Sequence, residues 1–376
     1  MWTRRQFMSR GVLGLLGAGG VALGMPGDDR PAAADGDANE ALPDGSASKD
    51  MITPRTDQTI DRGLLYLATR RNGDGSFGTN GYAGNVAVTS LGALAFMAAG
   101  NQPYRGPYGR IVLDSLRFVL SMENRMGGQP GFLHNPNGVA HGPMYGHGFG
   151  TLFLAEVTGM VNDRLLRDEV DQKLHRAVRL ILNSQNIEGG WRYDPEPHDA
   201  DLSVTICQIM ALRAARNAGI AVPKSKVDHC VEYVKACQDR RFGYFRYQKI
   251  RGGGDGDGPQ AFARTAAGVV ALYSAGIYKG PEVEAGLEFL RRNRPIGGPV
   301  NHLDMHYFYG HYYAVQAMWA AGGDYWKEWY PAIRDELIGH QFPDGHWADG
   351  ICDHYATAMA CIILQVPNNY LPILQR

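Results

Sequence analysis

One pattern recurs six times along the chain, at a spacing of about 50 residues. Each copy has a segment with one apolar face, a turn rich in glycine and aromatic residues, and a mostly apolar segment rich in alanine and glycine. The clearest turn spans residues 185–191, with the sequence Gln-Asn-Ile-Glu-Gly-Gly-Trp, and the apolar segment after it begins at Asp201. A helix that is apolar nearly all round is buried, whereas a striped helix faces water. The alternation therefore predicts an inner ring of helices inside an outer ring.

The six apolar segments align on one anchor position, which is threonine in all of them except one that has histidine. The anchors are Thr89, Thr151, Thr205, Thr265, His311 and Thr357. We expect these residues to lie at equivalent depths around a common axis. Glycine in the turns permits the left-handed backbone that ends a helix, so the aromatic residue can pack back over the turn. The predicted fold class is all-α, an (α/α)6 toroid.

Four of the turns and the alternating helices resemble the prenyltransferase and squalene-oxidase repeat of triterpene cyclases and protein prenyltransferases. These turns are at residues 72–77, 185–191, 238–244 and 341–347. The resemblance covers the chain from about residue 54 to its end. It implies a ring around a central cavity, with a hydrophobic, isoprenoid-like small molecule as the ligand.

The N-terminal segment matches a twin-arginine export signal, since Arg4 and Arg5 precede a mildly apolar run. We assign 1–34 to the signal peptide, 35–53 to a disordered linker and 54–376 to the toroid domain. An uncleaved anchor helix is the alternative reading of the first segment. These features predict a protein exported by the twin-arginine route, periplasmic or secreted, with no membrane span once the signal is removed.

Charge and cysteine content exclude two other classes of protein. The chain has 37 Lys and Arg against 38 Asp and Glu, a net charge of −1, which predicts no nucleic-acid partner. Its 5 cysteines are an odd number. Cys230 and Cys237 are about 10 Å apart along one predicted helix, beyond the ~7 Å that a disulfide allows between Cα atoms. A disulfide scaffold is therefore not predicted.

The resemblance implies an acid for alkene protonation, held in an Asp-x-Asp-Asp-Thr motif at the start of an inner helix. At the equivalent place the chain has Asp201, but Ser203 and Val204 replace the second and third aspartates. Asp201 is the first catalytic candidate, and Asp199 supplies a displaced second carboxylate. The alternative role of Asp201 is that of a helix N-cap.

Two further residues are catalytic or ligand-binding candidates. His147, near the start of an inner helix, is a candidate general base, and its alternative role is a cap. Arg264 precedes its anchor threonine, where it can bind a phosphate or carboxylate of a ligand or pair with an acid such as Asp201.

A divalent metal is the one cofactor that the sequence suggests, and the cofactor is otherwise unknown. The resemblance implies zinc ligands at the positions of Phe308, Gly310 and Ala356, none of which can ligate zinc. Histidines and carboxylates nevertheless gather at the starts of the last two inner helices. The candidate ligands are Asp304, His306, Asp353 and His354. The alternative is that they cap helices and hydrogen-bond among neighbouring tyrosines.

Three functions remain open from the sequence alone. The chain is a cyclase-like or prenyltransferase-like enzyme for an isoprenoid, a non-catalytic binding or assembly module, or a toroid enzyme acting on polysaccharide. The first requires a deep apolar pocket. The second predicts a filled centre and an exposed apolar patch. The third requires an open polar cleft with two carboxylates about 5 to 10 Å apart.

Overall fold

The computed structural model describes residues 48, 50–124, 129–138, 142–249, 259–295 and 306–375. These residues belong to one compact unit. The predicted signal peptide, 1–34, and most of the predicted linker, 35–53, lie outside the described residues.

Twelve α-helices, numbered in chain order, make up the described fold. The odd-numbered helices are α1 (Pro54–Arg70), α3 (Gly109–Ser121), α5 (Arg164–Ser184), α7 (Lys224–Ala236), α9 (Pro281–Arg292) and α11 (Gly323–His340). The even-numbered helices are α2 (Val86–Ala98), α4 (Pro143–Val157), α6 (Leu202–Asn217), α8 (Pro259–Ser274), α10 (Tyr307–Ala321) and α12 (Asp353–Gln365). Short strands β1 (Glu123–Asn124) and β2 (Phe132–Leu133) pair antiparallel. Three 3₁₀ turns span Asn80–Tyr82, Val366–Asn368 and Pro372–Leu374.

The even-numbered helices form a closed inner ring. Each packs against the even-numbered helix before it and the one after it, and α12 packs against α2. The odd-numbered helices lie outside this ring against their even-numbered neighbours. Nearly every residue of α2 and α12 is buried, whereas α1 and α5 bury a single face. The predicted arrangement of two concentric rings is confirmed.

The anchor threonines make the same contact in four repeats. In each, the threonine Oγ1 accepts a hydrogen bond from the backbone N–H of a buried aromatic residue in the preceding turn. The pairs are Phe77 with Thr89 (3.0 Å), Trp191 with Thr205 (3.1 Å), Phe245 with Thr265 (3.0 Å) and Trp347 with Thr357 (3.1 Å). The anchors of these repeats therefore occupy equivalent positions in the ring, as predicted.

The second and fifth repeats depart from this pattern. In the second, the Leu133 amide donates to Nδ1 of His147, one helical turn before the anchor, at 3.2 Å. The Oγ1 of Thr151 has no hydrogen-bond partner among the described residues. In the fifth, the anchor His311 is buried, and residues 296–305, which precede it, include none that the structure describes.

The turn after α7 is one residue longer than the turn predicted at 238–244. Its left-handed glycine is Gly243, five residues after Gln238, where the turns at 185–191 and 341–347 have it four residues after the glutamine. Phe245, and not Tyr244, therefore donates its amide to Thr265. The predicted end of this turn was wrong by one residue.

The glutamine of each of these turns joins neighbouring repeats. Nε2 of Gln185 donates to the Gly189 carbonyl of its own turn at 2.8 Å and to the Lys226 carbonyl of α7 at 2.9 Å. The same pair of bonds joins Gln238 to Gly243 and Glu282, and Gln341 to Gly345 and Thr59. The last set ties the sixth turn to α1. Side-chain amides thus close the outer ring as the helices close the inner one.

Tyrosines of α10 occupy the middle of the inner ring. The Tyr309 hydroxyl donates to the Ser203 carbonyl of α6 at 3.0 Å, and the Tyr313 hydroxyl lies 3.4 Å from Sγ of Cys207. The ring of Tyr312 lies 6.1 Å from that of Phe149 on α4, the helix that faces α10 across the ring. The central cavity that the resemblance implied is therefore filled with aromatic side chains at this level.

The chain after α12 covers the end of the ring at which the inner helices finish. The Ile373 amide donates to the buried Glu156 carboxylate of α4 at 3.1 Å, and the Trp319 indole donates to the Leu374 carbonyl at 3.0 Å. A cavity of about 30 Å³ remains beside this segment, lined by residues that include Arg213 and Tyr273. That volume holds about one water molecule.

None of the described helices is both long enough and apolar enough to cross a membrane. All 5 cysteines are buried free thiols.

Candidate functional site

Asp201 lies at the opposite end of the ring, where the inner helices begin. It is the N-cap of α6, and its Oδ1 accepts a hydrogen bond from the Val204 amide at 2.9 Å. The Asp201 amide donates to the Trp191 carbonyl at 2.9 Å, which fixes the turn to the helix start. Its side chain is 0% exposed, yet Oδ2 has no hydrogen-bond partner among the described residues. The predicted capping role is therefore present, and one carboxylate oxygen remains unused by it.

The guanidinium of Arg192 lies between two carboxylates. Its Nη1 is 3.6 Å from Oδ2 of Asp201, and its Nε is 3.5 Å from Oδ2 of Asp199. Both distances exceed those of ordinary hydrogen bonds. The guanidinium carbon lies 4.6 Å from the ring centre of Tyr193 and 5.4 Å from that of Tyr247, which places it on aromatic faces as a cation–π contact.

Three tyrosines lie beside Arg192 and its two carboxylate neighbours. The hydroxyls of Tyr193 and Tyr247 are 2.5 Å apart, and the rings of Tyr145 and Tyr193 are 6.1 Å apart. Backbone bonds hold them in place, since the Tyr193 carbonyl accepts from the Met144 amide and the Tyr247 carbonyl accepts from the Leu202 amide, each at 2.9 Å. We call the set of Tyr145, Arg192, Tyr193, Asp199, Asp201 and Tyr247 the mouth site.

Burial dominates the electrostatics of the mouth site. It raises the pKa of Asp201 to about 6, against the opposing effects of the Val204 hydrogen bond, the nearby Arg192 cation, the Ser203 amide and the Tyr247 hydroxyl. Burial also raises the pKa of Tyr145 well above its usual value, and the charge of Asp201 adds to that. A carboxylic acid with a pKa near 6 can donate or accept a proton near neutral pH.

No family model and no curated protein matches this chain. Solved structures do match it. A cellobiose 2-epimerase from Bacillus thermoamylovorans B4167 superposes with a TM-score of 0.58 at 12% identity, covering 82% of this chain and 98% of that one. A type II terpene cyclase from Scytonema, in complex with geranylgeranyl dihydroxybenzoate, gives 0.54 at 13% identity, covering 85% and 98%. An α-1,6-mannanase of Salegentibacter sp. HEL1_6, in complex with α-1,6-mannotriose, gives 0.55 at 8% identity, covering 84% and 99%.

The fold is an α/α toroid. Identities this low show the fold alone, and they confirm the fold class that the repeat predicted.

The toroid places His147 away from the mouth site. The ring is fully buried, with Nδ1 bonded to the Leu133 amide and Nε2 3.1 Å from the Ala177 carbonyl of the outer helix α5. Burial lowers its pKa to about 4, so the imidazole is neutral at physiological pH. Both ring nitrogens are bonded to backbone, which leaves neither for a ligand. In the described structure His147 therefore joins the Leu133 segment to α5 from within α4, and its role as a general base stays a prediction.

Arg264 is buried at the start of α8 and lies near His306, the N-cap of α10. Burial lowers the pKa of His306, and the nearby Arg264 cation contributes to that. The ion pair of Asp201 that the structure describes is with Arg192, and the role of Arg264 in binding a ligand or pairing with an acid stays a prediction.

The predicted metal ligands do not converge in the part of the toroid that is described. Nδ1 of His354 accepts the Gly78 amide at 2.9 Å, and its ring lies edge-on to Phe77, 5.7 Å away. His306 instead lies against Tyr309. Asp353 is the first residue of α12. The described residues include no group of three His, Cys, Asp or Glu that could hold a metal ion, and Asp304 lies outside them.

Sequence reasoning missed Arg192 and the tyrosines of the mouth site. The available signal was an aromatic-Arg-Tyr triplet, which occurs at residues 191–193 and again at 245–247. The triplet recurs in successive turns, so that Arg192 and Arg246 each directly follow the buried aromatic residue of their turn. The triplet does not reveal that the two arginines have different partners.

Proposed function

We propose that the toroid binds a carbohydrate at the mouth site and that Asp201 and Asp199 act on it as an acid and base pair. One observation carries the proposal: a single guanidinium lies between a buried carboxylate of raised pKa and an exposed one, whose side chain is 55% accessible. Pairs of carboxylates in different environments are how many enzymes divide acid and base roles.

The spacing of the two carboxylates suits this chemistry. Both lie within 4 Å of one guanidinium, so they are at most roughly 10 Å apart, an upper limit that is compatible with the ~5–9.5 Å between the two acids of glycoside hydrolases. The tyrosine walls offer apolar faces with polar tips, which suit the alternating C–H and hydroxyl surface of a sugar.

Packing in the ring supports a sugar more than the isoprenoid ligand expected from the resemblance. Tyr309, Tyr312 and Tyr313 take up the space on the ring axis, where a long apolar chain would need a deep pocket. A non-catalytic module is the second candidate, and the full burial of Asp201 favours it, because a buried acid is not in contact with a ligand in this conformation.

The similar folds include enzymes of sugars as well as a terpene cyclase. One is a cellobiose 2-epimerase, and another is an α-1,6-mannanase of which the variant with two aspartates replaced by asparagine is inactive. These likenesses support a carbohydrate as the ligand of this toroid, and the mannanase is one case in which aspartates are required for activity. They do not assign a substrate to this chain.

The test is a binding and turnover screen with purified protein and a panel of oligosaccharides, using calorimetry for binding and mass spectrometry for products. We expect wild type to bind and convert at least one sugar, and Asp199→Asn to bind that sugar without converting it. Asp168→Asn, an exposed aspartate of α5, is the matched control and should behave as wild type. Binding without conversion would support the non-catalytic alternative. Failure to bind any sugar, together with recovery of an isoprenoid from a lipid extract, would refute the proposal.

A further inference from the structure

We propose that Arg192 is a gate over Asp201 and that an anionic group on the sugar opens it, so that the mouth site selects acidic sugars, carrying a carboxylate or sulfate, over neutral ones. This inference rests on the proposed function, because it names the class of sugar that the same site takes.

The first step is that Asp201 is closed off in the observed conformation. Its side chain is 0% exposed, and its unused Oδ2 faces Nη1 of Arg192. The Arg192 side chain itself is 26% exposed, so it reaches from the buried carboxylate to the surface of the mouth. A ligand meets the guanidinium before it can meet Asp201.

The second step is that Arg192 is held loosely. Its two carboxylate partners stand 3.5 and 3.6 Å away, and Nη1 has no hydrogen-bond acceptor among the described residues. The cation–π contacts with the faces of Tyr193 and Tyr247 are weak interactions at a partly exposed site. A ligand carboxylate or sulfate can accept two parallel bonds from the guanidinium, which are among the strongest hydrogen bonds in proteins.

The third step is a comparison with Arg246, which occupies the same place in the following turn. Arg246 is hydrogen-bonded to the carboxylate of Asp239, the residue after the turn glutamine. The residue after the glutamine in the turn of Arg192 is the neutral Asn186, whose Oδ1 is taken by the Glu188 and Gly190 amides. The chain therefore secures one arginine within its own turn and leaves the other to face the mouth.

The fourth step joins binding to activation. When the guanidinium turns towards the ligand, Asp201 is uncovered and loses a cation that favours its charged form. The carboxyl group is then open to contact with the sugar, and the loss of the cation favours its protonated form, which is the form that can donate a proton. A neutral sugar has no anionic group that could replace Asp201 as the partner of Arg192.

The proposal that Arg192 covers Asp201 can be tested without any ligand. We would treat the protein at mildly acidic pH with a water-soluble carbodiimide and an amine, and measure labelling of Asp201 by peptide mass spectrometry. Wild type should be protected, and Arg192→Gln should label at least ~10-fold faster. Arg179→Gln, which removes an exposed arginine from α5, is the charge-matched control and should stay protected. Equal protection in Arg192→Gln and wild type would overturn the gate.

Selectivity is tested by calorimetry at constant ionic strength with three matched probes: oligogalacturonate, its neutral galactose counterpart and a sulfated galactan oligosaccharide. We expect wild type to bind one or both acidic probes at least ~10-fold more tightly than the neutral one, and Arg192→Gln to lose that preference. Arg192→Lys should recover little of it, because lysine lacks the planar fork. Equal binding of all probes by wild type would overturn the inference and leave the proposed function standing, whereas no binding of any sugar would overturn both.

Discussion

Replacing Gly189 by alanine tests whether the stability of the toroid depends on close contact between its turns and the next outer helix. Gly189 has φ +97°, and a Cβ added to it would lie 2.1 Å from the His229 carbonyl oxygen of α7. Gly219, after α6, has φ +96° and nothing within 4 Å of an added Cβ. The two positions thus share the same backbone conformation and differ in the space around it.

The magnitudes follow from this difference. Alanine in a left-handed conformation costs about 1–2 kcal/mol, which both variants incur. In Gly189→Ala the turn must also move by roughly 1 Å, because the obstacle is backbone, and overpacking of this kind costs about 1–3 kcal/mol. That movement would strain the two hydrogen bonds of Gln185. We therefore expect losses of about 1 kcal/mol for Gly219→Ala and about 3 kcal/mol or more for Gly189→Ala.

Urea unfolding followed by circular dichroism gives both values, provided that the m-value is unchanged. A lower midpoint for Gly189→Ala than for Gly219→Ala is the expected result. Equal losses would show that the turn tolerates a Cβ and that its contact with α7 contributes little. The reasoning about the repeated glycines Gly75, Gly243 and Gly345, each facing a carbonyl of another outer helix, would then fail as well.

Two further predictions use the same unfolding assay. Thr205→Val removes the acceptor of the buried Trp191 amide and should lower the free energy of unfolding by about 1–3 kcal/mol. Thr151→Val should change it by close to nothing, because the Thr151 Oγ1 has no partner among the described residues. Similar losses in the two variants would contradict the role assigned to the anchors. Because the native pKa of Asp201, about 6, lies above its ordinary 3.8, the folded state binds the proton more tightly, and wild type should lose up to about 3 kcal/mol relative to Asp201→Asn as pH rises from about 4 to above 6. A difference that is independent of pH would mean that Asp201 is not the buried acid described here.

The inner and outer rings of helices could be predicted from sequence because the hydrophobic pattern that produces them is local and recurs in each repeat. Each inner segment is apolar on all sides and each outer segment is striped, and burial follows from that contrast. The anchor threonine and the turn glutamine were recognisable because they recur at fixed positions. Their partners are backbone groups of the adjacent turn or helix, so the contact follows from the repeat itself.

The filled centre could not be predicted in the same way. Tyr309, Tyr312 and Tyr313 begin an inner helix, where sequence alone allows aromatic walls around a hollow or a plug across it. The choice depends on the distance between α10 and α4 across the ring, which is set by the packing of all six inner helices and not by any one segment. The contacts of His147 could not be predicted for a related reason, because one of its partners is a carbonyl of α5 that no motif specifies.

Repetition also explains why the mouth site is the place to look for function. Arg246 is hydrogen-bonded to Asp239 of its own turn, and this contact stabilises the turn. The turn of Arg192 has Asn186 at the position of Asp239, so it keeps the arginine but lacks the carboxylate partner. A change that served stability alone would keep the pair or replace both members, since an arginine without a hydrogen-bonded partner beside a buried carboxylate costs free energy. Of the two turns that carry an arginine after the buried aromatic residue, the turn of Arg192 therefore lacks the contact that the turn of Arg246 makes, and in our proposal a ligand with an acidic group supplies it.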